Sequence, residues 1–210
     1  MLYYGTSIRL MNIYTPTRRE LETARAAFES REPRDLFYRA ATELVDLAIR
    51  RATSLTLVEA LAVLLQTWNS AFYRYRRFDA QHFSDIDGLV TRHQESLLAL
   101  RPRSIESVSD EDENEVKSLF SAFERVLGPV GAAKSLHLIA PCFFPLWDRA
   151  IAERYGLPMK PQGLNADNYW HFMRIAREQC KLLGGAQAIG RNPLKAIDEF
   201  NYSRYTRGWM

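Results

Sequence analysis

The length, composition and charge of the chain exclude several classes of protein. Its 210 residues suffice for one domain, and a hydrophobic share of 47% with 25% charged residues excludes a disordered or fibrous chain. The net charge of +3 is mild, so it permits a nucleic-acid partner without arguing for one. No apolar run approaches the roughly 20 residues that span a bilayer, and we expect neither a signal peptide nor a membrane partner. The two cysteines exclude a disulfide scaffold, so we expect a cytoplasmic protein.

Hydrophobic residues at helical spacing predict an all-α fold, with no strand-like alternation of any length. The predicted helices run from the Thr17–Glu20 capping box to about Ser30, Asp35 to Arg51, Thr56 to Arg74, about Asp112 to Leu127, and 166 to 183, with one or two shorter helices over 79–100. In the second helix, the residues predicted to face the core are Leu36, Phe37, Ala40, Leu44, Leu47 and Ala48. Gly184 and Gly185 are predicted to end the last helix.

The most informative segment is LGPVGAAKSL at 127–136, where a helix ends and a small-residue helix begins. Gly128 and Gly131 allow a tight hairpin whose backbone amides turn outward. Such amides, with the following helix N-terminus, can hold a phosphate. A simple glycine C-cap explains the same residues and is the commoner role.

A second informative segment is LWDRAI at 146–151. Asp148 follows a proline-containing loop and precedes an apolar-periodic helix, which is the position of an N-cap. A structural cap is one interpretation. The other is a carboxylate aimed into a cleft at the positive end of the helix dipole. Trp147 beside it belongs either to the core or to a pocket wall.

The order of these segments resembles that of helix-hairpin-helix DNA glycosylases. LGPVGAAKSL is similar to the family's hairpin, LWDRAI to the segment with its catalytic aspartate, and AVLLQTWNSAF (62–72) to its buried helix. The resemblance covers roughly residues 55–156. In a gap-free match, the lysine nucleophile of bifunctional members falls on Ala133, and Lys134 follows one residue later, about 100° further round a helix.

The resemblance implies a two-lobed all-α fold in one compact domain, with residues of about 55–127 in one lobe and 1–54 with 128–210 in the other. It implies a DNA N-glycosylase, a hydrolase for base excision and DNA repair that acts on a flipped-out base. The implied catalytic residues are Asp148, which stabilises the cationic sugar, and Lys134. The implied DNA contacts are Gly128, Val130, Gly131, Ala132 and Arg149.

A pocket for a flipped base needs aromatic faces and a few polar groups. The candidates are Gln66, Trp68, Asn69, Tyr73, Phe144, Trp147 and Trp170. Core packing is the alternative for each aromatic candidate. His137, which also lies on an apolar helix, is better explained as a hydrogen-bonded core residue than as a base.

Basic residues interleave with aromatic ones at 74–77 and 202–207, and arginines flank a proline at 101–103. Such clusters suit distorted or single-stranded nucleic acid, and they equally suit a solvated face. The histidines and cysteines lack metal-ligand spacing, and no Walker or dinucleotide motif occurs, so we expect no cofactor and no metal.

The expected partner is DNA that contains a modified base, and the expected state is a monomer. Three alternatives stay open: an N-glycosylase for a small modified nucleotide or nucleoside, a non-catalytic helix-hairpin-helix DNA-binding module, and a helical interaction protein. Salt-sensitive DNA binding would separate the DNA-directed proteins from the small-molecule enzyme.

Overall fold

The computed structural model describes residues 14–210, and all regular structure in that part of the chain is helical, which confirms the all-α prediction. The helices are α1 (Arg18–Arg31), α2 (Asp35–Ile49), α3 (Leu57–Trp68), α4 (Ser70–Tyr73), α5 (Ala80–Leu100), α6 (Glu113–Ile139), α7 (Arg149–Arg154), α8 (Ala166–Leu183), α9 (Gly185–Ile189) and α10 (Pro193–Asn201). Two 3-10 turns, Ile105–Ser107 and Asp110–Asp112, precede α6, and a π-helical turn, Tyr202–Thr206, follows α10.

Capping residues begin and end several helices where the sequence predicts them. The Thr17 hydroxyl accepts from the Glu20 amide while the Glu20 carboxylate accepts from the Thr17 amide, so the predicted capping box is present. Gly184 ends α8 with a left-handed φ of 83°. A single helix, Ala80–Leu100, forms here rather than two: Asp79 caps it, and Gly88 lies inside it without interrupting it.

The buried face of α2 differs in part from the prediction. Leu36 and Phe37 are 56% and 37% exposed, and Ala40 is exposed as well. Ala41 and Val45 are buried instead. The other predicted positions, Leu44, Leu47 and Ala48, are half-buried. Neighbouring residues differ by about 100° around a helix, so the buried side at the start of α2 is rotated by one residue from the predicted side.

The predicted helix from Thr56 to Arg74 breaks at Asn69, which separates α3 from α4. Asn69 has φ −108° and ψ 24°, outside the helical region. The Phe72 amide, which an unbroken helix would aim at the Trp68 carbonyl, donates to the Asn69 carbonyl at 3.0 Å. The Trp68 carbonyl is therefore left for side-chain donors.

The predicted turn at 128–131 is a kink inside α6. Gly128 has φ 70° and ψ 168°, a conformation that favours glycine, and regular helix continues on both sides of it. Pro129 fits because it stands in the first turn of the second segment, where its missing amide is not needed. A Cβ atom at Gly128 would lie 3.1 Å from the Phe72 ring.

The C-terminal elements pack against helices from both earlier parts of the chain. Helix α10 lies against α1, and the π-helical turn lies against α1 and α7. The π-helical turn therefore lies beside the start of α7, where Thr206 contacts Asp148. None of the helices between residues 14 and 210 is both long and apolar enough to cross a membrane.

Candidate active-site cavity

A cavity of about 100 Å³ lies between α1, α2, α6, α7 and α10. Its lining is divided between charged and aromatic side chains. The charged ones are Glu32, Arg34, Asp35, Lys134, Asp148, Lys195 and Asp198, and the aromatic ones are Phe28, Tyr38, Trp68, Trp147 and Tyr202. The cavity thus brings together both predicted catalytic residues and two of the predicted base-pocket residues.

Asp148 caps α7, as the sequence predicts. Its Oδ1 atom accepts a hydrogen bond from the Ile151 amide at 2.9 Å. Its Oδ2 atom accepts from the Thr206 hydroxyl at 2.9 Å. Two donors from different elements therefore fix the orientation of this carboxylate at the cavity wall. Thr206 lies in the π-helical turn, a rare geometry that is frequent at functional sites.

Lys134 points its ammonium group at the end of α3. Nζ donates to the Trp68 carbonyl at 2.6 Å and lies 4.5 Å from the centroid of the Trp68 ring. Burial and the charge of Arg34 lower the pKa of Lys134 to about 8. The negative charges of Asp198 and Asp148 oppose this change, because they stabilise the ammonium form. The group is therefore mainly a cation at neutral pH with a minor share of free amine.

A cluster of charges on α10 forms another wall of the cavity. Lys195 Nζ lies 4.3 Å from the ring centroids of both Phe28 and Tyr38. It also lies 3.4 Å from Asp35 Oδ1 and 3.7 Å from Asp198 Oδ2. Sequence reasoning missed this cluster. The signal that could have indicated α10 is Asn192 followed by proline, since Asn192 caps the helix and proline occupies its first turn.

The remaining base-pocket candidates lie outside this cavity. Gln66 is exposed and Trp170 is buried. The Tyr73 hydroxyl and His82 Nε2 are hydrogen-bonded at 3.0 Å. The Phe144 side chain is buried, and its carbonyl accepts from His137 Nδ1 at 2.7 Å. Of the seven candidates, only Trp68 and Trp147 line the cavity.

His137 has the environment of a core histidine. Its other ring nitrogen, Nε2, is 3.1 Å from the Tyr38 hydroxyl. Burial lowers the pKa of His137 to about 4, so the ring is neutral at physiological pH.

A second cavity of about 380 Å³ lies beside the kink of α6 and shares Arg34, Trp68, Val130 and Lys134 with the first. Asn69, another base-pocket candidate, lines it together with Gly128 and Gly131. Gly131 packs so closely on this asparagine that a Cβ atom there would lie 2.8 Å from Asn69 Nδ2.

The five predicted DNA contacts differ in exposure. Gly128, Gly131 and Ala132 are buried, Val130 is half-buried and Arg149 is exposed. The predicted phosphate contact at the hairpin stays a prediction.

The three basic clusters also differ in availability. Arg101 donates to Asp46, and Arg103 donates to Asp112 through both terminal nitrogens. Arg204 pairs with Glu20, and Arg207 with Glu32. The cluster at 74–77 is different: Tyr75 is 92% exposed, and only Arg76 of its arginines is ion-paired within residues 14–210, with Asp85 at 3.7 Å. This cluster is the freest to meet a partner.

Across the part of the chain that the structure describes, no group of three or more His, Cys, Asp or Glu side chains is arranged to hold a metal ion. In comparisons with known proteins, no family model, no curated protein and no solved structure matches the chain.

Proposed function

We propose that the chain is a DNA N-glycosylase of the helix-hairpin-helix type, which hydrolyses the bond between a modified base and its deoxyribose. The observation that carries the proposal is the shared cavity: Asp148, Lys134 and Trp68 come from three separate segments and line the same cavity. The sequence resemblance implies catalytic roles for Asp148 and Lys134, and Trp68 is a predicted base-pocket residue.

The chemistry of N-glycosidic cleavage suits this lining. As the bond breaks, positive charge develops on the sugar, and a fixed carboxylate stabilises that charge. The Asp148 carboxylate is held by the Ile151 amide and the Thr206 hydroxyl, so little reorganisation is needed when the charge develops. A cavity of about 100 Å³ also has room for the attacking water.

Lys134 acts in this proposal as a cation and not as the nucleophile. Its Nζ atom is engaged by the Trp68 carbonyl at 2.6 Å, and its pKa of about 8 leaves most of the group protonated at neutral pH. A protonated amine cannot attack the sugar. The ammonium group instead helps to hold a phosphate or the Asp148 carboxylate, so the enzyme is monofunctional.

The proposal is tested with duplexes that each carry one modified base: 8-oxoguanine, N7-methylguanine or 5-hydroxymethylcytosine. Heating in alkali cleaves the strand wherever an abasic site has formed. We expect strand cleavage with at least one duplex, loss of that cleavage in Asp148→Asn, and full activity in the control Asp87→Asn. The control makes the same chemical change at an exposed position of α5. Absence of cleavage with all three duplexes would count against the proposal.

One observation favours a second candidate, an N-glycosylase for a small modified nucleotide or nucleoside. The backbone around Gly128 and Gly131 is buried, which leaves less of the hairpin to contact a duplex. Binding to a duplex over a series of salt concentrations separates the two candidates. A DNA glycosylase loses affinity steeply as salt rises, whereas an enzyme for a small molecule shows no duplex binding to lose.

A further inference from the structure

We propose that Asp198 is the acid that gives a proton to the departing base. This inference rests on the proposed function and adds a second carboxyl group to it. The two carboxyl groups, Asp148 and Asp198, line the same cavity from different elements. In enzymes with two carboxyl groups in different environments, one commonly acts as the acid and the other as the carboxylate.

The hydrogen bonding of the two groups differs. Both oxygens of Asp148 accept hydrogen bonds, from Ile151 and Thr206. The Asp198 carboxyl accepts none from any side chain or amide in residues 14–210, although it is only 13% exposed. Its nearest cation is Lys195, whose Nζ lies 3.7 Å from Oδ2, beyond hydrogen-bond distance. Asp198 is therefore free to hold a proton and to direct it into the cavity.

Charged and titratable groups face Asp198 from several elements. On its own helix they are Lys195 and Glu199, and from other elements they are Asp35, Tyr38, Lys134 and Asp148. Glu32 and Tyr202 line the same cavity and are hydrogen-bonded to each other. Burial raises the pKa of Asp198 to about 6, with the Asp148 and Glu199 carboxylates adding to the rise and Lys195 and Lys134 opposing it. At pH 6, the Asp198 carboxyl is therefore protonated in about half of the molecules.

An unpaired polar atom in the same cavity indicates a polar ligand. Trp147 Nε1 is fully buried and has no hydrogen-bond partner within residues 14–210. A buried donor without a partner is unfavourable, because it has lost its hydrogen bond to water. A ligand with acceptors along its edge, such as a nucleobase, would accept a hydrogen bond from Trp147.

The proposed cleavage transfers one proton from Asp198 to the departing base. The carbon–nitrogen bond breaks and its electron pair goes to the base, while the proton of the Asp198 carboxyl goes to a nitrogen or oxygen of that base. Water then attacks the sugar cation and gives a proton to solvent through the Asp148 carboxylate, and Asp198 regains its proton from solvent. The net reaction consumes one water and releases a neutral base.

An acid at Asp198 favours an uncharged modified base as the leaving group. An uncharged base leaves as an anion unless it receives a proton, so an acid lowers its barrier. A base that is already cationic through alkylation leaves as a neutral molecule and needs no acid. We therefore assign the cavity to an uncharged modified base, of which 8-oxoguanine and 5-hydroxymethylcytosine are the test examples.

The test measures the single-turnover excision rate of the best duplex substrate from pH 5 to pH 9 for the wild type, Asp198→Asn, Asp198→Glu and the control Asp87→Asn. The wild-type rate should fall about tenfold per pH unit above pH 6, because the protonated fraction falls by that factor. Asp198→Asn should be slower by about 10²–10⁴-fold at pH 6 and should lose this pH dependence. Asp198→Glu keeps a carboxyl group and should recover part of the rate. In the free wild-type protein, carboxyl NMR should give a titration midpoint near pH 6 for Asp198.

The outcomes separate this inference from the proposed function. If the wild type excises a base and Asp148→Asn does not, but Asp198→Asn keeps the wild-type rate and pH profile, only the inference is overturned. A titration midpoint of Asp198 at the ordinary aspartate value of about 3.9 also overturns the inference, and this measurement needs no substrate. A preference for N7-methylguanine over the uncharged bases overturns the assigned substrate class. If the wild type cleaves none of the duplexes, the proposed function fails and the acid fails with it.

Discussion

Replacement of Asp148 by asparagine should separate catalysis from stability. The change removes the negative charge but keeps the shape of the side chain. The asparagine oxygen can still accept from the Ile151 amide, which lies 2.9 Å from Asp148 Oδ1. The new amide group can donate to the Thr206 hydroxyl oxygen, which is 2.9 Å from Oδ2. Both contacts of the native carboxylate are therefore replaced.

The expected magnitudes follow from these contacts. Asparagine and aspartate are about equal as N-caps, so the free energy of unfolding should change by less than about 1 kcal/mol. For a chain of this length, that corresponds to a melting temperature within about 2–4 °C of the wild type. Loss of one fixed electrostatic group at a developing charge lowers the rate by about 10²–10³-fold.

The assay pairs thermal unfolding with single-turnover excision in Asp148→Asn and in Asp148→Ala. Alanine removes the cap as well as the charge, so its free energy of unfolding should fall by a further 0.5–2 kcal/mol or so, while its excision rate should match that of asparagine. An asparagine variant that retains excision near the wild-type rate would refute the catalytic role. An asparagine variant as unstable as alanine would refute the account of its hydrogen bonds.

Three further variants test other parts of the site. Lys134→Gln should slow excision less than Asp148→Asn, and borohydride should trap no covalent adduct with the wild type; a trapped band that disappears in Lys134→Gln would make the lysine the nucleophile. Gly131→Ala places a Cβ atom 2.8 Å from Asn69 Nδ2, so urea unfolding should show a loss of about 1–3 kcal/mol; an unchanged midpoint would show that Asn69 moves without penalty. Arg77→Ala should reduce by about 1 the slope of log affinity for duplex DNA against log salt, because one phosphate contact is lost; an unchanged slope would exclude Arg77 from the interface.

The helices were predictable because their signals are local. The capping box at Thr17, the glycine pair after α8 and the aspartate before α7 each act within one helical turn, and the structure contains all three features. The buried face of α2 was predictable only in part from the same sequence. Leu36 and Phe37 are as hydrophobic as core residues, and only the position of the neighbouring helices decides that they lie outside.

The site was predictable only in part, for a similar reason. Asp148 and Lys134 are indicated by the resemblance of the 127–151 segment to a known motif. Asp198 and Lys195 belong to no motif and look like ordinary charges on an amphipathic helix. Their role in the cavity depends on the packing of α10 against α1, a long-range contact that no local pattern reports. Thr206 is similar, since its bond to Asp148 joins residues 58 positions apart.

The break between α3 and α4 has a consequence for any effort to engineer this protein. Because the Phe72 amide donates to the Asn69 carbonyl, the Trp68 carbonyl is available to Lys134 and also to Arg34, whose Nη2 lies 3.4 Å away. A designer who seeks thermal stability would replace Asn69 with a strong helix former and join the two helices. In the joined helix, the Phe72 amide would donate to the Trp68 carbonyl. The amine of Lys134 would then lose the acceptor that orients it. Improved helical regularity at this point would therefore be gained at the expense of a defined position for the lysine.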